Sequence, residues 1–245
     1  MPTSALPAPA IPLKALSYRL RLAWLLLPAF ISATALAGAV GWKFGKDNGW
    51  ETAQKNQPIA HFPQRLNAIK SQAGQMEAKT IVLGDSLTEF ARLNDLCGQP
   101  VLNAGVSGAT IQDTAGWSDD LIAASTTSGS RPERLVFALG TNNAKTYLIQ
   151  SHPVEQTLTA YRTLITRYHG YDIAIATIPN IGAAAADRFD QAYIDSLNAG
   201  IRTLATETGA TLIELARPIP THDGVHLQPA AYSIWNTQMA SICKA

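Results

Sequence analysis

Charge is scarce in this chain. Asp, Glu, Lys and Arg make up 15% of its 245 residues, against roughly 25% in an average soluble protein. The net charge is only +1. Without a basic excess there is no stripe to track a nucleic-acid backbone, so nucleic acid is excluded as a principal partner. Cysteine is scarcer still. Cys97 and Cys243 are the only two, which excludes a four-cysteine zinc site and a dense disulfide framework. The length is sufficient to bury a real core without a metal staple. The dinucleotide-binding pattern G-x-G-x-x-G is absent, which leaves a nucleotide fold without support.

The lack of charge is partly local. Residues 22–42, LAWLLLPAFISATALAGAVGW, carry none. A helix of that length reaches about 30 Å, the thickness of a bilayer core. Lys14, Arg19 and Arg21 precede it with no acidic residue, the flank of a segment inserted with its N-terminus in the cytoplasm. The organisation expected is therefore a cytoplasmic tail (1–21), a transmembrane signal-anchor helix (22–42), a polar stalk (43–60) and an extracytoplasmic domain (61–245), periplasmic in a Gram-negative bacterium. A cleaved signal peptide is the alternative, because Ala35-Leu36-Ala37 before Gly38 offers a cleavage site. Ala29, Ala33, Ala37, Gly41, Gly45, Gly49 and Ala53 recur at every fourth residue. Such a ridge of small residues lets two membrane helices approach, and a homodimer through this face is an expectation.

Within 61–245, short apolar runs alternate with helix-length segments. Thr80–Leu83, a run from Val101, Leu135–Leu139, Ile173–Ile178 and Ala210–Leu215 read as strands buried on both faces. Leu87–Leu96, Thr110–Ala124, Val154–Tyr168, Asp187–Thr206 and Pro229–Ile242 read as helices. The alternation implies an α/β domain of three layers, with a five-stranded parallel sheet and right-handed crossovers. In such a sheet, ligands bind beyond the carboxyl ends of the strands.

Chemistry-bearing residues cluster at those ends. Gly84-Asp85-Ser86-Leu87 follows the first strand, where a serine can act as a nucleophile or merely cap a helix. Gly105, in Asn103-Ala104-Gly105-Val106-Ser107-Gly108, follows the second and permits close backbone approach. Gly140-Thr141-Asn142-Asn143 follows the third, and the Asn142 amide can donate to an oxyanion. His222-Asp223-Gly224-Val225-His226 follows the fifth. Asp223 can reach and orient the ring of His226; a metal held by His222, Asp223 and His226 is the rival reading. His61, His152 and His169 read as surface or helix-end residues. Trp117 and Trp235 either line an acyl pocket or pack.

These four blocks, in this order, resemble the GDSL, or SGNH, hydrolases from about Thr80 to the C-terminus. The resemblance implies a flavodoxin-like α/β/α fold and a serine esterase that needs neither metal nor other cofactor. It makes Ser86 the nucleophile, His226 the general base and Asp223 its orienting partner. The amides of Ser86 and Gly105 and the side chain of Asn142 would form the oxyanion hole. Family members often carry Asp after the third-block Asn, where this chain has Asn143. With the membrane segment, the expected function is hydrolysis of small acyl esters, acetyl above all, on a surface polysaccharide or peptidoglycan. An O-acyltransferase using the same residues and a non-catalytic glycan-binding scaffold are the alternatives. Cys97 ends the segment after the first strand and Cys243 ends the last helix. If those elements pack together, a bridge forms; otherwise both thiols are free.

Overall fold

Five buried apolar runs assemble side by side because each is covered on both faces. In the computed structural model, which describes residues 61–126, 129 and 131–244, they are β1 (Thr80–Gly84), β3 (Gln99–Gly105), β4 (Arg134–Ala138), β5 (Asp172–Ala176) and β6 (Thr211–Ile213). All five are parallel in the order β3-β1-β4-β5-β6. The expected transmembrane segment 22–42, with the tail and stalk beside it, lies outside the described residues. Among those described, no helix is long and apolar enough to cross a membrane.

One correction concerns the sheet. It has six strands and is mixed, because β2 (Asp95–Leu96) pairs antiparallel with β3 at the edge. The helix expected over Leu87–Leu96 is in fact a single turn, α2 (Ser86–Glu89). The physical cause is Asn103, whose Nδ2 donates to the carbonyls of Thr88 and Ala91 at 2.7 and 2.9 Å. These bonds satisfy the end of the turn and stop it. The chain then reverses through Cys97 and Gly98, both with positive φ, as a two-residue hairpin of the primed type requires.

Alternate residues of each strand face opposite layers. Ile81, Leu83, Leu135 and Phe137 meet α3 (Ile111–Thr126), α4 (Val154–Arg167), α5 (Gln191–Thr208) and a helix over 61–73, called α1. Val82, Val136, Ala174 and Ile213 meet α2 and α6 (Tyr232–Met239). Trp117 and Trp235 are buried in these two cores, one in each. The last helical segment is broken into short-pitch turns at Pro229–Ala231 and Ala240–Lys244, either side of α6. Cys97 and Cys243 form a disulfide that ties the β2–β3 turn to the chain after α6.

Candidate active site

β1 lies inside the sheet between β3 and β4, with Gly84 opposite both Gly105 and Ala138. This register brings the three loops that follow these strands to one edge of the sheet. Asp85 caps α2, its Oδ1 accepting from the Leu87 amide at 2.9 Å. Ser86 is therefore the first residue of the turn, nearly buried, and no partner for its N–H occurs among the described residues. Burial pushes the Asp85 carboxyl up from its ordinary value, against the Leu87 hydrogen bond and the attraction of nearby Lys145. Partial burial pulls the Lys145 ammonium down from its ordinary value, against the attraction of Asp85 and Asp113.

The loop carrying His226 is folded by its own aspartate. Asp223 Oδ1 accepts from the Val225 and His226 amides at 2.9 and 2.7 Å, a side-chain turn typical of Asp. A bridge between Thr221 and Leu227 closes the loop, and Arg188 donates to the Asp223 carbonyl at 3.2 Å. Asp223 Oδ2 lies 2.7 Å from His226 Nδ1, and His226 Nε2 lies 3.0 Å from Ser86 Oγ. A carboxylate only accepts, so Nδ1 carries the proton and Nε2 is left to accept from the serine hydroxyl. Residues 140 positions apart are thus joined in one hydrogen-bonded chain. Burial raises the Asp223 carboxyl, but the ring and the two amides outweigh it and hold it at about 2. The ring of Phe90, half-exposed, lies 5.5 Å from that of His226.

The liganding atoms of His222, Asp223 and His226 lie within 4.8 Å of one another. Both ring nitrogens of His226 and both oxygens of Asp223 are, however, engaged in the bonds just described, and His222 Nδ1 stands 3.9 Å from Asp223. A metal would have to displace the serine or the aspartate from His226, so the donor set fits a cation poorly.

Asn142 is buried in a short-pitch turn, Thr141–Ala144, and its Nδ2 donates one hydrogen to the Ala109 carbonyl at 3.1 Å, leaving the second unused. Asn143, at the position where Asp is common, locks this turn to α3. Its Oδ1 accepts from the Ile111 amide at 3.1 Å and its Nδ2 donates to Gln112 at 2.7 Å, the second of which a carboxylate could not do.

Gly105 does not occupy the expected place. Its N–H donates to Asn103 Oδ1 at 3.0 Å, so that amide is already used. The residue is glycine for a packing reason: a Cβ there would stand 2.2 Å from the Glu89 nitrogen. Gly108, three residues on, has the free group. Val106–Ala109 form a turn closed by the Ala109 amide on the Val106 carbonyl, with Gly108 at φ 85° in its third position. That is a type II turn, which requires positive φ at this point. The Gly108 N–H has no partner among the described residues, and its neighbour Ala109 is the residue Asn142 touches. The S-G pair of a tight turn was the available sequence signal.

A strand-end serine bonded to a histidine–aspartate pair on an α/β sheet defines a serine hydrolase site. The model of the GDSL-like Lipase/Acylhydrolase family matches residues 82–234, more than half of the chain. The chain belongs to that family and is a serine ester hydrolase. No curated protein matches. Three similar solved structures are a GDSL-like lipase from Bacteroides thetaiotaomicron, a lipase/acylhydrolase from Enterococcus faecalis and an acetylxylan esterase from Geobacillus stearothermophilus. The first has a TM-score of 0.61 at 16% identity, covering 73% of this chain and 97% of its own. The second has 0.57 at 17%, covering 68% and 95%. The third has 0.54 at 17%, covering 69% and 97%. At such identities these likenesses concern the fold.

Proposed function

We propose that this protein is a membrane-tethered, extracytoplasmic esterase that removes small acyl groups, acetyl above all, from a surface polysaccharide or peptidoglycan. The carrying observation is the Ser86–His226–Asp223 chain, at 3.0 and 2.7 Å. Ser86 Oγ attacks the ester carbonyl while His226 Nε2 takes its proton. The Ser86 and Gly108 amides and the second hydrogen of Asn142 Nδ2 receive the negative oxygen. His226 then returns the proton to the departing alcohol, leaving the acyl group on Ser86. Water attacks that ester by the same route in reverse, releasing the acid. Asp223 stays a carboxylate throughout and steadies the charged ring.

Three observations support the location and substrate. The uncharged stretch 22–42 with its basic flank suits an anchor. The Cys97–Cys243 disulfide suits an oxidising compartment. Half-exposed Phe90, beside His226, offers an apolar face to a sugar ring. The test is a panel of acetyl, butyryl and long-chain esters together with acetylated glycans. Acetyl esters are expected to be the best substrates and acetylated glycan to release acetate. A preference for long acyl chains overturns the substrate class. N-terminal sequencing of the mature protein tests the anchor, and a start at Gly38 overturns it.

The Asp223 carboxyl, held at about 2, also shapes the pH profile. Its depressed value contributes stability that is present above the unfolded value of 3.8 and lost as pH falls through about 2. Asp223 is therefore expected to remain a carboxylate, and to keep orienting the ring, well below pH 3.8. Urea unfolding of the wild type and of Asp223→Asn at several pH values measures this: the wild-type advantage is expected to hold above 3.8 and to shrink as pH falls toward about 2. A difference that does not change with pH would show that Asp223 contributes no pH-dependent stability.

A further inference from the structure

In the sequence His61 reads as a surface residue with no part in the chemistry. The structure instead places His61 and Arg65 on a carboxylate that joins the nucleophile turn to the oxyanion turn. Glu89 ends α2, three residues after Ser86. Its Oε2 accepts from the Ser107 amide at 2.6 Å and from the Ser107 hydroxyl at 2.7 Å. His61 Nε2 lies 3.1 Å from each of its oxygens, and Arg65 Nε lies 3.7 Å from Oε1. Arg65 also donates to the carbonyls of Gly105 at 2.9 Å and Asn103 at 3.1 Å. Ser107 is the second residue of the type II turn whose third is Gly108.

We propose, resting on the esterase reading above, that Glu89 is a positioning residue: gripped by His61 and Arg65, it holds Ser107 so that the Gly108 amide stands at the distance from Ser86 that the transition state needs. The chemistry favours this role. A carboxylate offers about four acceptor sites, and here two go to one residue of the turn. Both bonds to Ser107 are charge-assisted and largely shielded from water, the setting in which such bonds are strongest. They fix both the backbone and the side chain of the residue before Gly108, so that peptide cannot rotate freely. An oxyanion donor acts only when it is aimed in advance, and a small misplacement reduces kcat while leaving substrate binding nearly unchanged. A purely structural ion pair would instead affect folding, with kcat per folded molecule unmoved.

The test compares the full-length chain with Glu89→Ala, Glu89→Gln and His61→Ala, using p-nitrophenyl acetate and deuterium exchange across residues 105–110. Glu89→Ala is expected to lower kcat by about 10- to 100-fold per folded molecule, with KM changed by less than about threefold, and to speed exchange in that segment. Glu89→Gln keeps an acceptor for Ser107 and turns its amide toward His61, so it is expected to recover most of the loss. His61→Ala, at the solvent edge where folding is not at stake, is expected to lose severalfold in kcat. Glu89→Ala or His61→Ala at wild-type kcat overturns the proposal, and so does unaltered exchange across 105–110 in both. A loss that Glu89→Gln fails to restore does the same. If the wild-type chain hydrolyses no ester, the esterase reading has failed, and the exchange alone decides whether Glu89 orders the turn.

Discussion

Ser86→Ala is expected to lower kcat on a short acyl ester by about 10⁶-fold, the largest effect available in this protein. His226→Ala is expected to cost nearly as much, and the double variant little more than either alone. The reason is the 3.0 Å bond between Ser86 Oγ and His226 Nε2. A serine without its base is a poor nucleophile, and a base without its serine has no proton to take, so the two act as one unit. Asn142→Ala removes a single oxyanion donor and is expected to cost about 10²–10³ in kcat. His222→Ala is expected to do much less, and a chelator nothing. Steady-state rates on p-nitrophenyl acetate, with folding checked by circular dichroism, decide the series. A Ser86→Ala protein at wild-type rate removes Ser86 as the nucleophile, and loss of activity to a chelator reopens the metal reading.

The second large effect is on stability. The Cys97–Cys243 bridge spans 146 residues of sequence. For a loop that long, chain entropy alone assigns about 5 kcal/mol to the crosslink. It ties the edge hairpin to the segment after α6; Trp235 and Met239 of α6 and Ile242 of that segment help fill one of the two cores. Cys97→Ser with Cys243→Ser is therefore expected to lower Tm by about 10–20 °C for a domain of this size. Activity at low temperature is expected to survive, because Cys97 stands at the opening end of β3, opposite the catalytic edge. Thermal unfolding of the variant, and of the wild type in reductant, measures it. Two titratable thiols in the unfolded, unreduced chain would mean the bridge does not form.

The parallel strands were legible because each is a continuous apolar run, and being buried on both faces is what such a run reports. The edge hairpin was not legible. Arg92-Leu93-Asn94 continues an acceptable helical pattern after Glu89, and only Asn103, brought across from β3, ends the turn earlier. α1 carries a helical period in Phe62, Leu66, Ile69 and Ala73, but no strand precedes it to set it in the alternation from which the other helices are read. Its importance could not be read at all. His61 and Arg65 lie 28 and 24 positions before Glu89, and no local pattern marks which carboxylate a surface histidine will meet.

The glycines show the division most clearly. Order along the chain determines that a serine, a glycine-bearing loop, an asparagine and an Asp–x–x–His segment each follow a strand, because strand ends are written in the local alternation of apolar runs and turns. It also determines the Asp223–His226 pair, because three residues of a tight turn cannot place them far apart. Which glycine amide is free is a different kind of question. Gly105 and Gly108 are equally permissive in isolation. The choice between them rests on α2 lying so close to β3 that Gly105 must lack a side chain, and on Asn103 taking its N–H. Only the tertiary structure decides that, because the hydrogen bond that uses up a donor comes from a neighbour chosen by packing.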